Sequence, residues 1–181
     1  LKGKDVKRYV TNWSRHYVLY PYDELSKPIP EKKLKHEFPK AYEYLVNKRD
    51  LLSGRPYFDN SAKLWYELWN QRKRKNFERL RIVTPEISDC NNFALTEKFS
   101  GNTKTYHIVL KDDDKANYKF VLGLLNSRLL QFYYCSITAP MAGGFFAYKT
   151  QFLEKLPVRD SDKTARNAVI ATVEKILATK E

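Results

Sequence analysis

Residues 118–158 constrain the fold of this chain more than any other stretch of its sequence. Apolar side chains recur there with the i, i+4 spacing of a helix that is buried along one broad face, at Val121, Leu125, Leu129 and Phe132. We therefore predict a core helix over residues 118–133. Gly123, Asn126 and Ser127 weaken a helix, so tertiary packing must hold it together. We interpret Asn126 and Ser127 as core or capping residues, because buried polar groups usually satisfy other buried polar groups.

The segment after this helix joins a glycine loop to aromatic and Leu-Pro sequences. Pro140 and the pair Gly143 and Gly144 interrupt the chain, and residues 145–148 have the aromatic composition of a short strand. Residues 153–158 follow with the sequence LEKLPV, which we interpret as a further strand.

The order of these pieces resembles the end of the TaqI-like specificity domain. In that family the domain is the DNA target recognition domain attached to adenine methyltransferases in type II restriction-modification enzymes. The matching pieces are residues 122–127, Gly143 with Gly144, and residues 153–158. Residues 1–9 and 20–23 are similar to the family's start, so the resemblance covers residues 1–158.

The resemblance has consequences for cofactors and for the rest of the protein. It implies that a methyltransferase domain, and any nuclease, lies on an N-terminal part of the same parent chain. S-adenosylmethionine, and magnesium in a parent that also cleaves DNA, would act there, and we expect no cofactor in this domain. The chain begins at Leu1 and its single methionine is Met141, so we expect it to be a piece of a longer protein.

The charge of the chain favours a polyanionic partner. Thirty-three Lys and Arg residues stand against 21 Asp and Glu residues, which gives a net charge of +12. The most apolar region, residues 118–148, is interrupted by polar residues and falls short of the ~20 apolar residues of a membrane span. No signal peptide opens the sequence. We expect double-stranded DNA as the partner, no membrane association and a cytoplasmic location.

The periodicity of the remaining sequence predicts an α+β domain, with a twisted, largely antiparallel sheet, packed helices and a C-terminal spacer helix. Helices are predicted from Pro39 and over residues 64–69. Strands are predicted at residues 17–20 and 80–83, and a hairpin pairs residues 93–96 with 106–110. We divide the chain into a target recognition domain, residues 1–158, and a spacer or interface helix, residues 159–181, with Ser161 as its N-cap.

Known catalytic motifs are missing from the sequence. A base-flipping adenine methyltransferase needs an Asn/Asp-Pro-Pro-aromatic tetrapeptide and a Gly-rich donor loop, and the chain has neither. A nuclease-like match at residues 31–33 after Asp23 lies in a Pro-rich context without strand character. Cys90 and Cys135 have no metal-ligand spacing and are expected to be reduced thiols. We predict no catalytic residue and no metal ligand, and hence a non-catalytic binding module.

Two basic segments are candidates for contacts with the DNA backbone. The first is the N-terminal arm with Lys4, Lys7 and Arg8, whose alternative interpretation is a solvated linker. The second is the densest basic run of the chain, which consists of Arg72, Lys73, Arg74 and Lys75. Four consecutive cations must face solvent or a polyanion, so the alternative for this run is a solvated helix end.

Two polar tips are candidates for base readout. In residues 101–104, Asn102 could pair with adenine and Lys104 with guanine. The second tip runs from Gly143 and Gly144, which let a backbone approach DNA closely, to Tyr148 and Lys149, where Lys149 could pair with guanine. Ordinary turns are the alternative for both tips.

Three functions therefore compete at this point. Sequence-specific recognition of double-stranded DNA, on behalf of a type II restriction-modification enzyme, explains the charge and the resemblance. A module that stacks RNA or single-stranded bases on some of the 13 tyrosines is the alternative. A purely structural docking domain would not explain the charge.

Overall fold

The computed structural model describes residues 1–56, 58, 61–71, 78–97, 101–102 and 104–180. The described residues form two compact units, one from residues 1–16 and 77–181 and the other from residues 17–76. Neither unit follows the predicted boundary at residue 158, so the functional division of the chain at that point stays a prediction.

The described part of the chain contains both helices and short antiparallel strands, and the predicted α+β class is confirmed. The strands are β1 (Val6–Lys7), β2 (Val10–Thr11), β3 (Arg81–Pro85), β4 (Ile87–Ser88), β5 (Ala94–Thr96), β6 (Thr105–Ile108), β7 (Pro140–Met141) and β8 (Phe145–Ala147). The α-helices are α1 (Glu31–Glu37), α2 (Pro39–Val46), α3 (Arg49–Ser53), α4 (Lys115–Leu125), α5 (Arg128–Ile137), α6 (Thr150–Leu153) and α7 (Lys163–Ala178). Within the described ranges, no helix has the length and apolar character required to cross a membrane.

Strand β3 is the centre of the first unit. All five of its residues are buried, and it pairs antiparallel with β5 on one edge and β6 on the other. The predicted strand at residues 80–83 is thus confirmed, but the predicted hairpin is wrong because its two arms are β5 and β6, which are separated by β3. A fully buried strand needs partners on both edges to satisfy its backbone groups, which explains this arrangement.

A second sheet continues directly from the first. Strand β4 follows β3 after Glu86 and pairs with β8, which also pairs with β7. Gly143 and Gly144 lie between β7 and β8 with φ values of 77° and 76°, a conformation that L side chains rarely adopt. The aromatic strand predicted after the glycine pair is confirmed as β8. The strand predicted at residues 153–158 is wrong, since α6 ends at Leu153 and no strand follows it among the described residues.

The predicted single core helix is two helices. Helix α4 ends at Leu125, and Ser127 begins α5 as its N-cap, with Oγ accepting a hydrogen bond from Leu130 N at 3.1 Å. The break changes which face is buried, so Leu129 and Phe132 are 74% and 76% exposed while Leu130 and Tyr134 join the core. The predicted apolar stripe is therefore correct in α4 and wrong in α5.

Asn126, the residue at this break, is buried and connects the helices to the strands. Its Oδ1 accepts from Phe93 N at 3.1 Å, and its Nδ2 donates to Phe93 O at 2.9 Å. The amide thus pairs with one backbone residue as a neighbouring strand would. The predicted core role of Asn126 and the capping role of Ser127 are both confirmed.

Helix α7 packs against α4 and belongs to the core of the first unit. Its Val173 is 1% exposed and lies within the main apolar cluster with Leu122 and Leu125. Asp162 caps the helix, with Oδ1 accepting from Ala165 N at 2.9 Å, so the predicted N-cap at Ser161 is one residue early. Packing of Val173 in the core therefore holds α7 to the first unit, in addition to the chain connection at residue 158.

The second unit, residues 17–76, contains α1, α2 and α3 around a small apolar cluster. Leu34, Leu45 and Tyr66 form the centre of this cluster. Pro39 occupies the first turn of α2, as predicted.

Two elements predicted in this second unit are wrong. Residues 17–20 form no strand, and Tyr17 is 84% exposed. Residues 64–69 form turns in place of a helix, because side chains bond their backbone groups. The Glu67 carboxylate accepts from Leu64 N at 2.7 Å, and Arg55 donates to the carbonyls of Trp65 and Glu67.

Replacing Asn126 by Ala removes the partner of Phe93 N, a buried donor that is left unsatisfied. We expect Asn126→Ala to lower the free energy of unfolding by about 2 kcal/mol. Chemical denaturation followed by circular dichroism measures this change. Asn167→Ala on the exposed side of α7 is the control, and equal stability of the two variants would contradict the role of Asn126.

Gly123 allows α4 and α7 to approach each other. A Cβ at this position would lie 2.7 Å from Val169 Cγ1 and 2.9 Å from Val173 Cγ2. Although alanine favours an isolated helix by about 1 kcal/mol over glycine, we expect Gly123→Ala to destabilise the protein by about 1–3 kcal/mol through overpacking. The double variant with Val169→Ala is expected to recover part of this loss in a double-mutant cycle, and strict additivity would argue against the contact.

Candidate nucleic-acid interface

A cleft of about 340 Å³ lies on the first unit, where the N-terminal residues meet the β3–β4 connection and the start of β8. Its lining consists of Gly3, Lys4, Val6, Lys7, Pro85, Glu86, Ile87, Ser88, Asp89, Asn92, Lys104 and Phe145. Three of the predicted DNA-contacting residues, Lys4, Lys7 and Lys104, are thereby brought together from two distant parts of the sequence.

The N-terminal arm is folded, so its alternative interpretation as a solvated linker is wrong. Lys4 lies in the 3-10 turn Gly3–Asp5 and Lys7 in β1, and both side chains are exposed. Asp5 is buried beneath them and accepts from Lys2 N at 2.7 Å and Ser14 Oγ at 3.1 Å. Burial opposes ionisation of Asp5, but these hydrogen bonds hold its pKa below the ordinary value. An ionised Asp5 thus fixes the turn that carries Lys4.

Lys104 lines the cleft from the position directly before β6. Its Nζ lies 2.9 Å from the Glu86 carboxylate, and its backbone N–H donates to Asn102 Oδ1 at 2.9 Å. Asn102 is exposed, but its oxygen caps the turn that presents Lys104. Of the predicted readout pair, Lys104 lines the cleft while Asn102 supports its backbone.

The cleft is also lined by polar side chains that were not predicted from the sequence. Asn92 donates to Ser88 Oγ at 2.9 Å, and Asp89 is exposed beside them. The charge and spacing of Ser88, Asp89 and Asn92 do not distinguish them from ordinary turn residues. They are recognised as cleft residues only once β4 is paired with β8. Together with Lys104 and Glu86 they give the cleft both donors and acceptors, as hydrogen bonding to base edges requires.

The loop that carries Gly143 and Gly144, here called the glycine tip, reaches the same cleft through Phe145. Gly143 and Gly144 are exposed, and Phe145 directly after them lines the cleft. Lys149 is exposed at the N-cap of α6 and is not among the lining residues.

Tyr148 requires a correction, because its side chain is fully buried. Its ring stacks on Tyr134 with a centroid distance of 4.4 Å and an interplanar angle of 7°. Its hydroxyl donates to Asn91 Oδ1 at 2.8 Å, and burial raises the pKa of the phenol. Tyr148 supports the core and is not accessible to a duplex, so we remove it from the interface.

Comparison with known protein families identifies the family of the chain. The family model of the TaqI-like C-terminal specificity domain matches residues 1–158. The chain belongs to this family. The resemblance found in the sequence is therefore confirmed, and the chain is a specificity domain of the restriction-modification type. The matched range includes every residue that lines the cleft.

Arg8 of this specificity domain is not among the residues that line the cleft of Lys4, Lys7 and Lys104, here called the lysine cleft. Its Nε donates to Asn91 O at 3.3 Å and its Nη2 to Gln131 Oε1 at 3.0 Å. Arg8 lines a separate cavity of about 490 Å³ beside α5. Lys4 and Lys7 of the predicted basic arm therefore line the cleft, whereas Arg8 lines the cavity.

Two further predictions concern residues and sites outside this cleft. Arg72, Lys73, Arg74 and Lys75 lie outside the described residues, so their role stays a prediction. Over the described ranges, no cluster of three or more His, Cys, Asp and Glu side chains could hold a metal ion.

A conservative change separates the structural role of Tyr148 from a DNA contact. Tyr148→Phe removes the hydrogen bond to Asn91 and is expected to lower the free energy of unfolding by about 1 kcal/mol while duplex affinity is unchanged. Thermal unfolding and fluorescence anisotropy with a labelled duplex measure the two quantities. The exposed Tyr44 provides the control Tyr44→Phe. Weaker DNA binding at unchanged stability would return Tyr148 to the interface.

Proposed function

We propose that this specificity domain binds double-stranded DNA and reads its sequence. In doing so it would position a methyltransferase domain of the same parent chain, and any nuclease, on the target in the cytoplasm. The observation that carries this proposal is the cleft in which Lys4, Lys7 and Lys104 converge beside polar side chains and the glycine tip.

The lysines of the cleft differ in their partners, which suggests two tasks. Lys4 and Lys7 form no ion pair within the described part of the chain, and both are exposed. Such lysines suit contacts with backbone phosphates, which position a protein on a duplex without reading its sequence. We assign the same task to Arg72, Lys73, Arg74 and Lys75.

Lys104 and its neighbours suit the reading of bases. Lysine pairs with the O6 and N7 acceptors of guanine, a carboxylate accepts from N4 of cytosine, and Asn pairs with adenine. Lys104, Glu86, Asp89 and Asn92 offer these groups within one cleft. Asn102 and Lys149 would add contacts at its edge.

The glycine tip would let DNA come close to the protein backbone. Gly143 and Gly144 carry no side chain, and Phe145 presents an apolar surface that could contact a thymine methyl group. Because these residues join β7 to β8, a paired strand holds the tip on each side.

The chemistry of the parent enzyme would take place on another domain. S-adenosylmethionine, and magnesium in a parent that cleaves DNA, would bind there, while this domain contributes recognition. Binding of RNA or single strands is less well supported by the cleft, because stacking of successive bases needs several aromatic side chains and Phe145 is the one that lines it among the described residues.

Selection from a random duplex library tests this function. The 181-residue chain is incubated with the library, and the bound duplexes are sequenced. We expect a short motif to be enriched, and Lys104→Ala to relax one or two of its positions, each worth about 1–3 kcal/mol of discrimination.

The double variant Lys4→Ala/Lys7→Ala is expected to keep the motif with lower affinity. Its plot of log affinity against log salt is expected to flatten by roughly 0.9 per lost phosphate contact.

Lys163→Ala, at an exposed lysine outside the cleft lining, controls for the loss of one positive charge. Absence of any duplex preference, or stronger binding to single strands of DNA or RNA than to duplexes, would refute the proposal in favour of the single-strand function. An unchanged motif in Lys104→Ala would refute the readout role of this lysine alone.

A further inference from the structure

We propose that the cavity beside α5 binds a phosphate of the DNA backbone through the guanidinium groups of Arg8 and Arg128. This proposal rests on the duplex-binding function above and adds a second contact region to it. The cavity measures about 490 Å³, and its lining consists of Arg8, Cys90, Arg128, Gln131, Phe132 and Cys135. Its lining within the described part of the chain has two cations and no carboxylate, whereas the lysine cleft contains Glu86 and Asp89.

Arg8 is held in place for such a contact. Its Nε and Nη2 are bonded to Asn91 O and Gln131 Oε1, which fixes the plane of the guanidinium group. Its Nη1 makes no hydrogen bond to the described residues. A guanidinium group with a fixed plane loses less entropy when it binds a phosphate than a mobile side chain does.

Arg128 occupies a position that an anion would explain. It is the first residue of α5, directly after the N-cap Ser127, and the first turn contains no acidic residue. The positive end of the helix dipole disfavours a cation there. Arg128 is exposed and forms no ion pair or hydrogen bond with any described residue. An anion in the cavity would be attracted by Arg128, Arg8 and the helix terminus together.

The cavity is placed next to the lysine cleft along two segments of the chain. Lys7 lines the cleft and the next residue, Arg8, lines the cavity. Likewise, Asp89 lines the cleft and the next residue, Cys90, lines the cavity. A DNA strand that passes the cleft would therefore reach the cavity with its neighbouring phosphates. Phe132, exposed at this cavity, would offer an apolar surface to the sugar.

Arg128→Ala is the decisive variant, because no described contact of the fold depends on this side chain. We expect it to weaken duplex binding roughly tenfold at low salt, as the loss of a charge-assisted contact predicts. The plot of log affinity against log salt is expected to flatten by roughly 0.9, while the selected motif is unchanged. Arg128→Lys is expected to recover part of the affinity. Arg159→Ala removes the same charge from an exposed position outside the cavity and serves as the control.

The two cysteines of the chain report on the cavity independently. Cys90 and Cys135 both line it, and burial raises the pKa of both thiols, so their alkylation by N-ethylmaleimide is expected to be slow. A duplex is expected to slow this alkylation further in the wild-type chain and less so in Arg128→Ala. Mass spectrometry of the modified peptides measures the rate at each cysteine.

The outcomes separate this proposal from the function on which it rests. If Lys4→Ala/Lys7→Ala weakens duplex binding and Arg128→Ala behaves like Arg159→Ala, the phosphate site is refuted and the duplex-binding function stands. If inorganic phosphate protects the cysteines and a duplex does not, the cavity binds a small anion and the assignment to DNA is overturned. If the wild-type chain binds no duplex, both proposals fall together.

Discussion

The first unit depends on two buried asparagine amides that join segments distant in sequence. Asn126 bonds both backbone groups of Phe93, whose carbonyl also accepts from Tyr9 N at 2.9 Å. Asn91, two residues before Phe93, donates to Leu125 O at 2.6 Å and accepts from the Tyr148 hydroxyl. Residues 91–93 therefore connect the hairpin of β1 and β2, the junction of α4 and α5, and the end of β8. Because unsatisfied polar groups are costly in a core, these amides specify one arrangement of the surrounding elements.

The same amides determine where the candidate interface lies. Asn92, between the two bonded residues, faces the lysine cleft, while the carbonyl of Asn91 orients Arg8 toward the cavity. Tyr9, with a positive φ of 68°, turns the chain between β1 and β2 and so places Lys7 and Arg8 on the segment bonded to Phe93. Binding residues attached in this way to a packed core keep their geometry better than residues on an independent loop.

Local patterns in the sequence predicted the elements whose causes are local. The apolar spacing of α4, the proline at the start of α2 and the buried strand β3 are of this kind. The break at Asn126 was not predicted, because its side-chain amide bonds the backbone of Phe93, a residue 33 positions earlier in the sequence. Pairing of β5 and β6 with β3 was missed for a related reason, since alternation identifies a strand but not its neighbours. At the candidate interface, positive charge identified Lys4 and Lys7, and the polar tip at residues 101–104 identified Lys104. Ser88, Asp89 and Asn92 have no such signal.

The charges of the cleft and the cavity suggest how affinity and specificity are divided. No described residue that lines the cavity of Arg8 and Arg128 is a carboxylate, so under our proposal any phosphate would be attracted there whatever the base sequence. In the cleft, the Lys104 ammonium lies 2.9 Å from the Glu86 carboxylate, which offsets part of its attraction for phosphate. Under the proposed function, a duplex would gain at this pair only if its bases replaced the interaction between Lys104 and Glu86, whereas an incorrect sequence would leave one of the two groups unpaired. Discrimination would then come from a cost imposed on incorrect sequences, and the arginines would supply the affinity that every sequence shares.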